Sequence, residues 1–379
     1  MKKIAGHVKT RKRAHFIMRM TNRTIFHGSV SVVKTLTKSM PFWATLFVTR
    51  KCNLKCEYCG IVDNKSEDPT FEELCERIDT IKSLGMIGLA IFGAEPSLRD
   101  DLSEIINYAH KKHLHITLYS NLSIATEKFI EYSDAGLDDI RFSIDGLEPN
   151  HLVEKPATTP FEIGGEEITL KDQIDRLIEL KKQKRIKFSL GATMVLTQSN
   201  HAEVERVLQF LKERKITLSI CIIQPKRPTD KKFVEKLATE ENTQSLISLV
   251  EQLIDWKKKR TYDLEQSEEY FQAMINYWCG SGDWGCQAGQ LSITIDIDGS
   301  VHGCTNLTRT KYNMKIDHKE LRDKNKLRLF QLAVERRVCV PYCLSSAQFH
   351  CSLFFGSKRL FIHQVGSLLS DKIKGVFSL

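Results

Sequence analysis

The chain has 379 residues, enough for two domains or for one large domain with an appendage. Apolar side chains make up 41% and prolines number only nine, which excludes general disorder. The net charge of +9 would suggest a nucleic-acid binder, but thirteen of the 56 basic residues precede Glu57, the first acidic residue, and the rest carries 43 basic against 47 acidic side chains. A mildly acidic body behind a basic leader argues against nucleic acid as a partner of the body.

After a basic leader over residues 1–42, short apolar runs alternate with amphipathic helical stretches. Trp43–Thr49 reads as a buried strand followed by a cysteine-rich loop. Thr70 can cap a helix through about Leu84, with Phe71, Leu74, Cys75, Ile78 and Ile81 at helical spacing. Met86–Phe92 is the next strand, then come a helix from Asp100, strand His115–Ser120, helix Thr126–Ala135 and strand Asp139–Ile144. A polar insertion, Leu147–Gly165, precedes helix Leu170–Lys182, strand Lys187–Leu196, helix His201–Lys212 and strand Thr217–Ile223. Six strand–helix units imply an α/β fold, a partial (β/α)6 TIM-like barrel over residues 43–228 with its chemistry on the loops after the strands. Residues 229–269 read as a helical connector. Leu291–Ile297 and Ser300–Gly303 flank Asp298-Gly299, a hairpin signal inside a small C-terminal module over residues 270–353.

No run of about 18 apolar residues occurs, and the N-terminus lacks the apolar centre of a secretory signal. Eleven cysteines concentrated in two clusters then point to metal binding in a reducing, cytoplasmic compartment. The first cluster reads Cys52-Asn-Leu-Lys-Cys56-Glu-Tyr-Cys59. Zinc would normally want a fourth ligand nearby, and no His or Cys follows Cys59 within ten residues. Three thiolates are enough for a [4Fe–4S] cluster with one iron left open. The spacing C-x3-C-x2-C, with Tyr58 before the last cysteine, resembles the signature of the radical S-adenosylmethionine (SAM) superfamily. That resemblance implies an open iron that chelates SAM. It also implies reductive cleavage of SAM to a 5′-deoxyadenosyl radical, and hydrogen abstraction from a substrate C–H bond. Phe92-Gly93-Ala94-Glu95-Pro96 resembles the family's GGEP motif, with Ala94 in place of the second glycine. Ser143-Ile144-Asp145-Gly146 resembles its SxD element, and Asn121 and Gln224 end further strands. The resemblance implies SAM contacts by Tyr58, Gly93, Ala94, Glu95, Asn121, Ser143, Asp145 and Gln224.

The second cluster brackets the hairpin with Cys286 and Cys304, and Cys339, Cys343 and Cys351 follow. This arrangement resembles the SPASM/twitch extension of radical SAM enzymes. It implies one auxiliary [4Fe–4S] cluster on Cys286, Cys304, Cys339 and Cys343, with Cys351 able to replace one of the last pair. Cys75 and Cys221 read as ordinary buried thiols. Arg50, Lys51 and Lys55 surround the first cluster and suit a negatively charged group or a docking reductant of the flavodoxin or ferredoxin type. Residues 1–42 and the tail, 354–379, have the composition of basic amphipathic helices, open to packing on the barrel or to peripheral contact with an anionic membrane. A leader this short favours a small-molecule or lipid substrate, with maturation of a ribosomally made peptide as the alternative. An iron–sulfur or zinc protein without catalysis is the reading from another class.

Overall fold

The computed structural model describes residues 41–56, 58–148, 155–158, 160–163, 165–197, 200–222, 240–279, 286, 288–305 and 316–335. Gln224, Cys339, Cys343, Cys351, nearly all of the leader and the whole tail lie outside them. Six strands run parallel: β1 (Trp43–Thr49), β2 (Gly88–Gly93), β3 (His115–Ser120), β4 (Asp139–Ser143), β7 (Ser189–Leu196) and β8 (Thr217–Ile222). Between them come α1 (Phe71–Ser83), α2 (Leu102–Lys111), α3 (Thr126–Ala135), α4 (Leu170–Lys182) and α5 (Val204–Glu213). This is the α/β architecture expected from the alternation, an open partial barrel.

The helices start where the sequence signals them. Thr70 Oγ1 accepts from Glu73 N at 3.2 Å while Glu73 Oε2 accepts from Thr70 N at 2.8 Å, a reciprocal cap that satisfies two otherwise orphaned donors. Leu74, Ile78 and Ile81 then fall on one face and pack with Ala44, Leu46 and Val48 in a continuous core. Each of these fully buried leucine, isoleucine and valine side chains contributes roughly 1.5–3 kcal/mol.

The opposite face of the sheet carries a row in register. Phe47 pairs with Phe92, and Phe92 meets Tyr119 edge to face at 5.3 Å between ring centres. Tyr119 pairs with Arg141, and Arg141 with Gly191. A Cβ on Gly191 would stand 2.5 Å from Arg141 Nη1, so glycine makes the room that guanidinium occupies. Arg141 is held between Asp139 (2.9 Å) and Glu265 (2.7 Å), which outweigh the downward pull of burial and raise its pKa. Glu265 reaches it because residues 263–266 run along the outer side of β8, bridged at Leu218–Leu264.

Two features differ from the sequence reading. The polar insertion ends in the first strand of a two-stranded antiparallel hairpin, β5 (Pro160–Ile163), whose second strand, β6 (Glu166–Thr169), leads straight into α4. Each strand is only four residues long, too short for the alternation at Phe161-Glu162-Ile163 to mark a strand. The C-terminal hairpin, β9 (Ser292–Ile295) and β10 (Ser300–His302), forms around Gly299 at φ +79° as expected, but β9 then pairs in parallel with β1. With β11 (Ile316–Asp317) it extends the barrel sheet to nine strands in the order β11-β10-β9-β1-β2-β3-β4-β7-β8. Among the described residues the remaining α-helices are α6 (Glu240–Lys259), α7 (Glu268–Trp278) and α8 (Lys324–Glu335). Among the described residues no helix is long and apolar enough to cross a membrane.

Candidate active site

All the strand ends singled out in the described sequence open at one end of the parallel sheet. The loop after β1 is fixed first. Thr49 Oγ1 donates to Asp68 at 2.7 Å, Cys52 N donates to Asn64 Oδ1 at 2.8 Å, and Asn64 Nδ2 returns a bond to Cys52 O at 3.2 Å. Cys59 N donates to Cys56 O at 3.0 Å, closing a tight turn that contains Tyr58. Cys52, Cys56 and Cys59 are all half-buried, and Leu54 N points at Cys52 Sγ at 3.3 Å. Burial pushes the Cys52 thiol up, against the pull of that amide, and Glu95 and Cys59 push it the same way. Among the described residues no three His, Cys, Asp or Glu side chains converge closely enough to hold a metal ion as they stand. The donor set nonetheless fits a thiolate-held cluster: three thiols lie on one loop, and binding metal would draw them together and release their protons.

The loop after β2 lies directly against this one. Ala94 N donates to Thr49 O at 3.1 Å and Glu95 N to Lys51 O at 2.9 Å. A Cβ on Gly93 would stand 2.5 Å from Thr49 O, so this approach requires glycine at Gly93 and tolerates Ala94. The Glu95 carboxylate turns inward, 1% exposed. It accepts from Ser97 N (3.0 Å), Ser97 Oγ (2.5 Å), Ser120 Oγ (2.8 Å) and Asn121 N (2.6 Å). Burial raises its pKa and those four donors oppose the rise. Asn121 continues the chain of bonds, its Nδ2 donating to Asn53 Oδ1 at 2.9 Å, while Asn53 Nδ2 donates to Ser123 Oγ at 2.7 Å. The ends of β1, β2 and β3 are thus one bonded unit. Leu122 beside it is buried at φ +64°, a strained backbone for a branched side chain.

At the end of β4, Ser143 pairs with Thr193 and Asp145 forms a second hub. Asp145 is fully buried. Its Oδ1 accepts from Val195 N at 3.1 Å, and its Oδ2 accepts from Tyr58 Oη at 2.5 Å and meets Lys155 Nζ at 3.4 Å. Lys155 Nζ also stands 5.0 Å over the Tyr58 ring. Burial, with the Asp145 charge behind it, drives the Tyr58 phenol far above its ordinary range. Burial alone would lower the Lys155 pKa, but Asp145 and Cys56 outweigh it and raise it.

Residues 46–211 match the sequence profile of the radical SAM superfamily. Over this stretch the chain is similar to that superfamily. The chain is 26% identical over 167 residues to an S-adenosylmethionine-dependent nucleotide dehydratase of Selenomonas ruminantium, covering 43% of this chain and 60% of that protein. It is 32% identical over 139 residues to a probable GTP 3′,8-cyclase of Methanococcus maripaludis, covering 36% and 45%. The chain therefore spans about half the length of these two curated relatives. The fold resembles that of SuiB of Streptococcus suis bound to the precursor peptide SuiA, at TM-score 0.59 and 16% identity over 84% of this chain and 73% of that one. It also resembles anSMEcpe with bound AdoMet, at TM-score 0.55 and 15% identity over 89% and 100%.

The C-terminal hairpin is tied to the parallel strands at the cysteine loop. Arg50 Nη2 bonds to Asp296 Oδ2 at 2.5 Å, and Lys51 Nζ to Asp68 at 3.2 Å. These two cations, expected to face a negatively charged group, are thus both engaged by carboxylates. Gly289 N donates to Gly303 O at 3.1 Å, which sets the Cys286 and Cys304 segments side by side. Val334 of α8 packs against both glycines. Cys221 lies on β8 with its thiol donating to Met194 O at 3.5 Å, near enough to Tyr58 and Lys155 to act on both electrostatically. Sequence reasoning missed Lys155 and Asn53. Lys155 lies in the polar insertion, where no motif marks it; Asn53 follows a ligand candidate directly, and that adjacency was the only available signal.

Proposed function

We propose that this chain is a radical SAM enzyme acting on a small molecule, with Cys52, Cys56 and Cys59 holding a [4Fe–4S] cluster. The reading is carried by one observation: the three-cysteine loop after β1 is bonded directly to the ends of β2 and β3, and through Tyr58 to the end of β4. When bound, the reduced cluster supplies one electron to SAM, giving methionine and a 5′-deoxyadenosyl radical that takes hydrogen from a C–H bond. The chain's own residues fix the geometry. Gly93 lets the β2 loop lie flat against the cysteine loop, and Glu95 holds Ser97, Ser120 and Asn121 in one arrangement. In this reading Gly93, Ala94, Asn121 and Ser143, with Gln224 assigned from the sequence alone, would contact SAM, and Glu95, Tyr58 and Asp145 would hold their neighbours through the bonds described above. Such pre-set positioning matters because a radical has to meet its substrate within contact distance and out of water.

Two relatives over this domain carry names for nucleotide reactions, so nucleotides are the first small molecules to test. A second reading, maturation of a ribosomal peptide, is favoured by the likeness to SuiB over most of the chain. An auxiliary cluster on Cys286, Cys304 and two of Cys339, Cys343 and Cys351 belongs to either reading. What supports it is the Gly289–Gly303 contact, with α8 against both segments and ending four residues before Cys339. Anaerobically reconstituted protein with a flavodoxin- or ferredoxin-type reductant and SAM should release 5′-deoxyadenosine, and Cys56→Ala should abolish it. Protein that carries zinc and never cleaves SAM would overturn the reading. Deuterium passing from a labelled nucleotide into 5′-deoxyadenosine would identify the substrate class.

A further inference from the structure

Lys155 is placed by backbone as well as by its side chain. Asp145 N donates to Lys155 O at 2.9 Å, Ala157 N to Gly146 O at 2.9 Å and Thr158 N to Leu147 O at 3.0 Å, so residues 155–158 are laced along 145–147. The side chain is 13% exposed, and its ammonium lies over the one ring inside the Cys56–Cys59 turn. Of the basic residues in the cysteine loop itself, Arg50 and Lys51 are drawn to Asp296 and Asp68 and Lys55 is exposed, whereas Lys155 is held largely buried against the turn.

We propose that Lys155 is a positioning residue that sets a fixed positive charge against the Cys56–Cys59 turn and so raises the reduction potential of the cluster held there. The inference rests on the cluster assignment given above. A cluster gains negative charge on reduction, and its potential responds to nearby charge, hydrogen bonding and exposure. The charge acts through poorly solvated protein, where it is screened less than at the surface. Asp145 opposes it from the far side of the same contact, accepting from Tyr58 and meeting Lys155 through one oxygen. The two residues therefore have opposite effects. Losing the lysine leaves a buried carboxylate facing the turn, whereas neutralising the aspartate leaves the ammonium unopposed.

The test is an EPR-monitored redox titration of the reconstituted full chain without SAM. It follows the signal that later addition of SAM perturbs, in wild type, Lys155→Met, Lys155→Arg and Asp145→Asn. At fixed poise, Lys155→Met should lower the ratio of reduced to oxidised cluster about tenfold, which is 59 mV for a one-electron couple. Lys155→Arg should stay within about twofold of wild type, and Asp145→Asn should move the ratio upward. An unchanged ratio in Lys155→Met, or shifts of the same sign in Lys155→Met and Asp145→Asn, overturns the inference. Should Lys155→Met fail to hold iron, the other two variants decide: Asp145→Asn without an upward shift overturns it. A wild-type chain with no SAM-sensitive signal fails at the cluster assignment instead, and that result is distinct from the others.

Discussion

Cys221, half-buried where the sequence suggested a buried thiol, and Glu95, fully buried, show how differently this chain uses burial. Cys221 is a thiol on β8 whose pKa burial pushes up to about 12, with Asp145 adding to the rise and Lys155 opposing it. Since only the thiolate is nucleophilic, Cys221 should react with iodoacetamide more than about a hundredfold more slowly than the exposed Cys279 at pH 8. The Cys221 rate should climb with pH through the whole range below about 12. Mass-spectrometric labelling rates read both. Equal rates at the two sites would show Cys221 to be solvent-reachable and thiolate-forming, contrary to its place in the barrel. Glu95 is buried for a different reason, as an acceptor for four donors. Glu95→Gln keeps the shape but puts an NH2 where donors already point. It should cost on the order of 1–3 kcal/mol in urea unfolding, the penalty for buried donors left unpaired. The motif marks Glu95 as a candidate, but its inward orientation depends on Ser97, Ser120 and Asn121, which only the fold brings together.

At the scale of elements, the strands and helices of the barrel follow their periodicity closely, with β1 and β3 falling on the residues the pattern marks. Legibility fails where elements touch. Gly93 lies inside a recognisable motif, yet the need for glycine there comes from Thr49 O, 44 positions earlier. Gly93→Ala should therefore destabilise by about 1–3 kcal/mol, the cost of forcing an extra methyl into packed backbone. Ala94→Gly should change stability by well under that, and chemical denaturation of both variants makes the comparison. A similar case is the Arg50–Asp296 contact, which joins the loop after β1 to the end of β9 between side chains only 14% and 8% exposed. Removing one partner of a buried pair costs about 3–5 kcal/mol, because the other charge is left behind. Asp296→Asn should accordingly be costly, while the double variant Arg50→Met/Asp296→Asn should recover part of the loss. Nothing in the local sequence of either residue announces this pairing across 246 positions.

At the scale of the whole molecule, the connectivity between the halves is what composition and motif spacing left open. The cysteine pattern marks residues from about 270 as a unit with its own chemistry, and hairpin signals place its two strands correctly. Sheet continuity is a different property. The edge of β1 that faces away from β2 is filled by β9 with four paired positions, Trp43–Ser292 through Leu46–Ile295. An unpaired edge at that place would present a row of open amides and carbonyls beside the core, a template for aggregation. Parallel pairing between segments some 250 residues apart carries no periodicity or turn signal, so no local rule exposes it. The two halves should then unfold together. In hydrogen-exchange measurements on the full chain, the amides of Ser292–Ile295 should open with the same free energy as those of β1, and denaturant should give one transition for both. A chain ending at Cys279 should elute from size exclusion as aggregate, because it leaves that edge bare. Separate transitions for β1 and β9, or a monomeric shortened chain, would show that the hairpin is a module docked on a barrel able to stand alone.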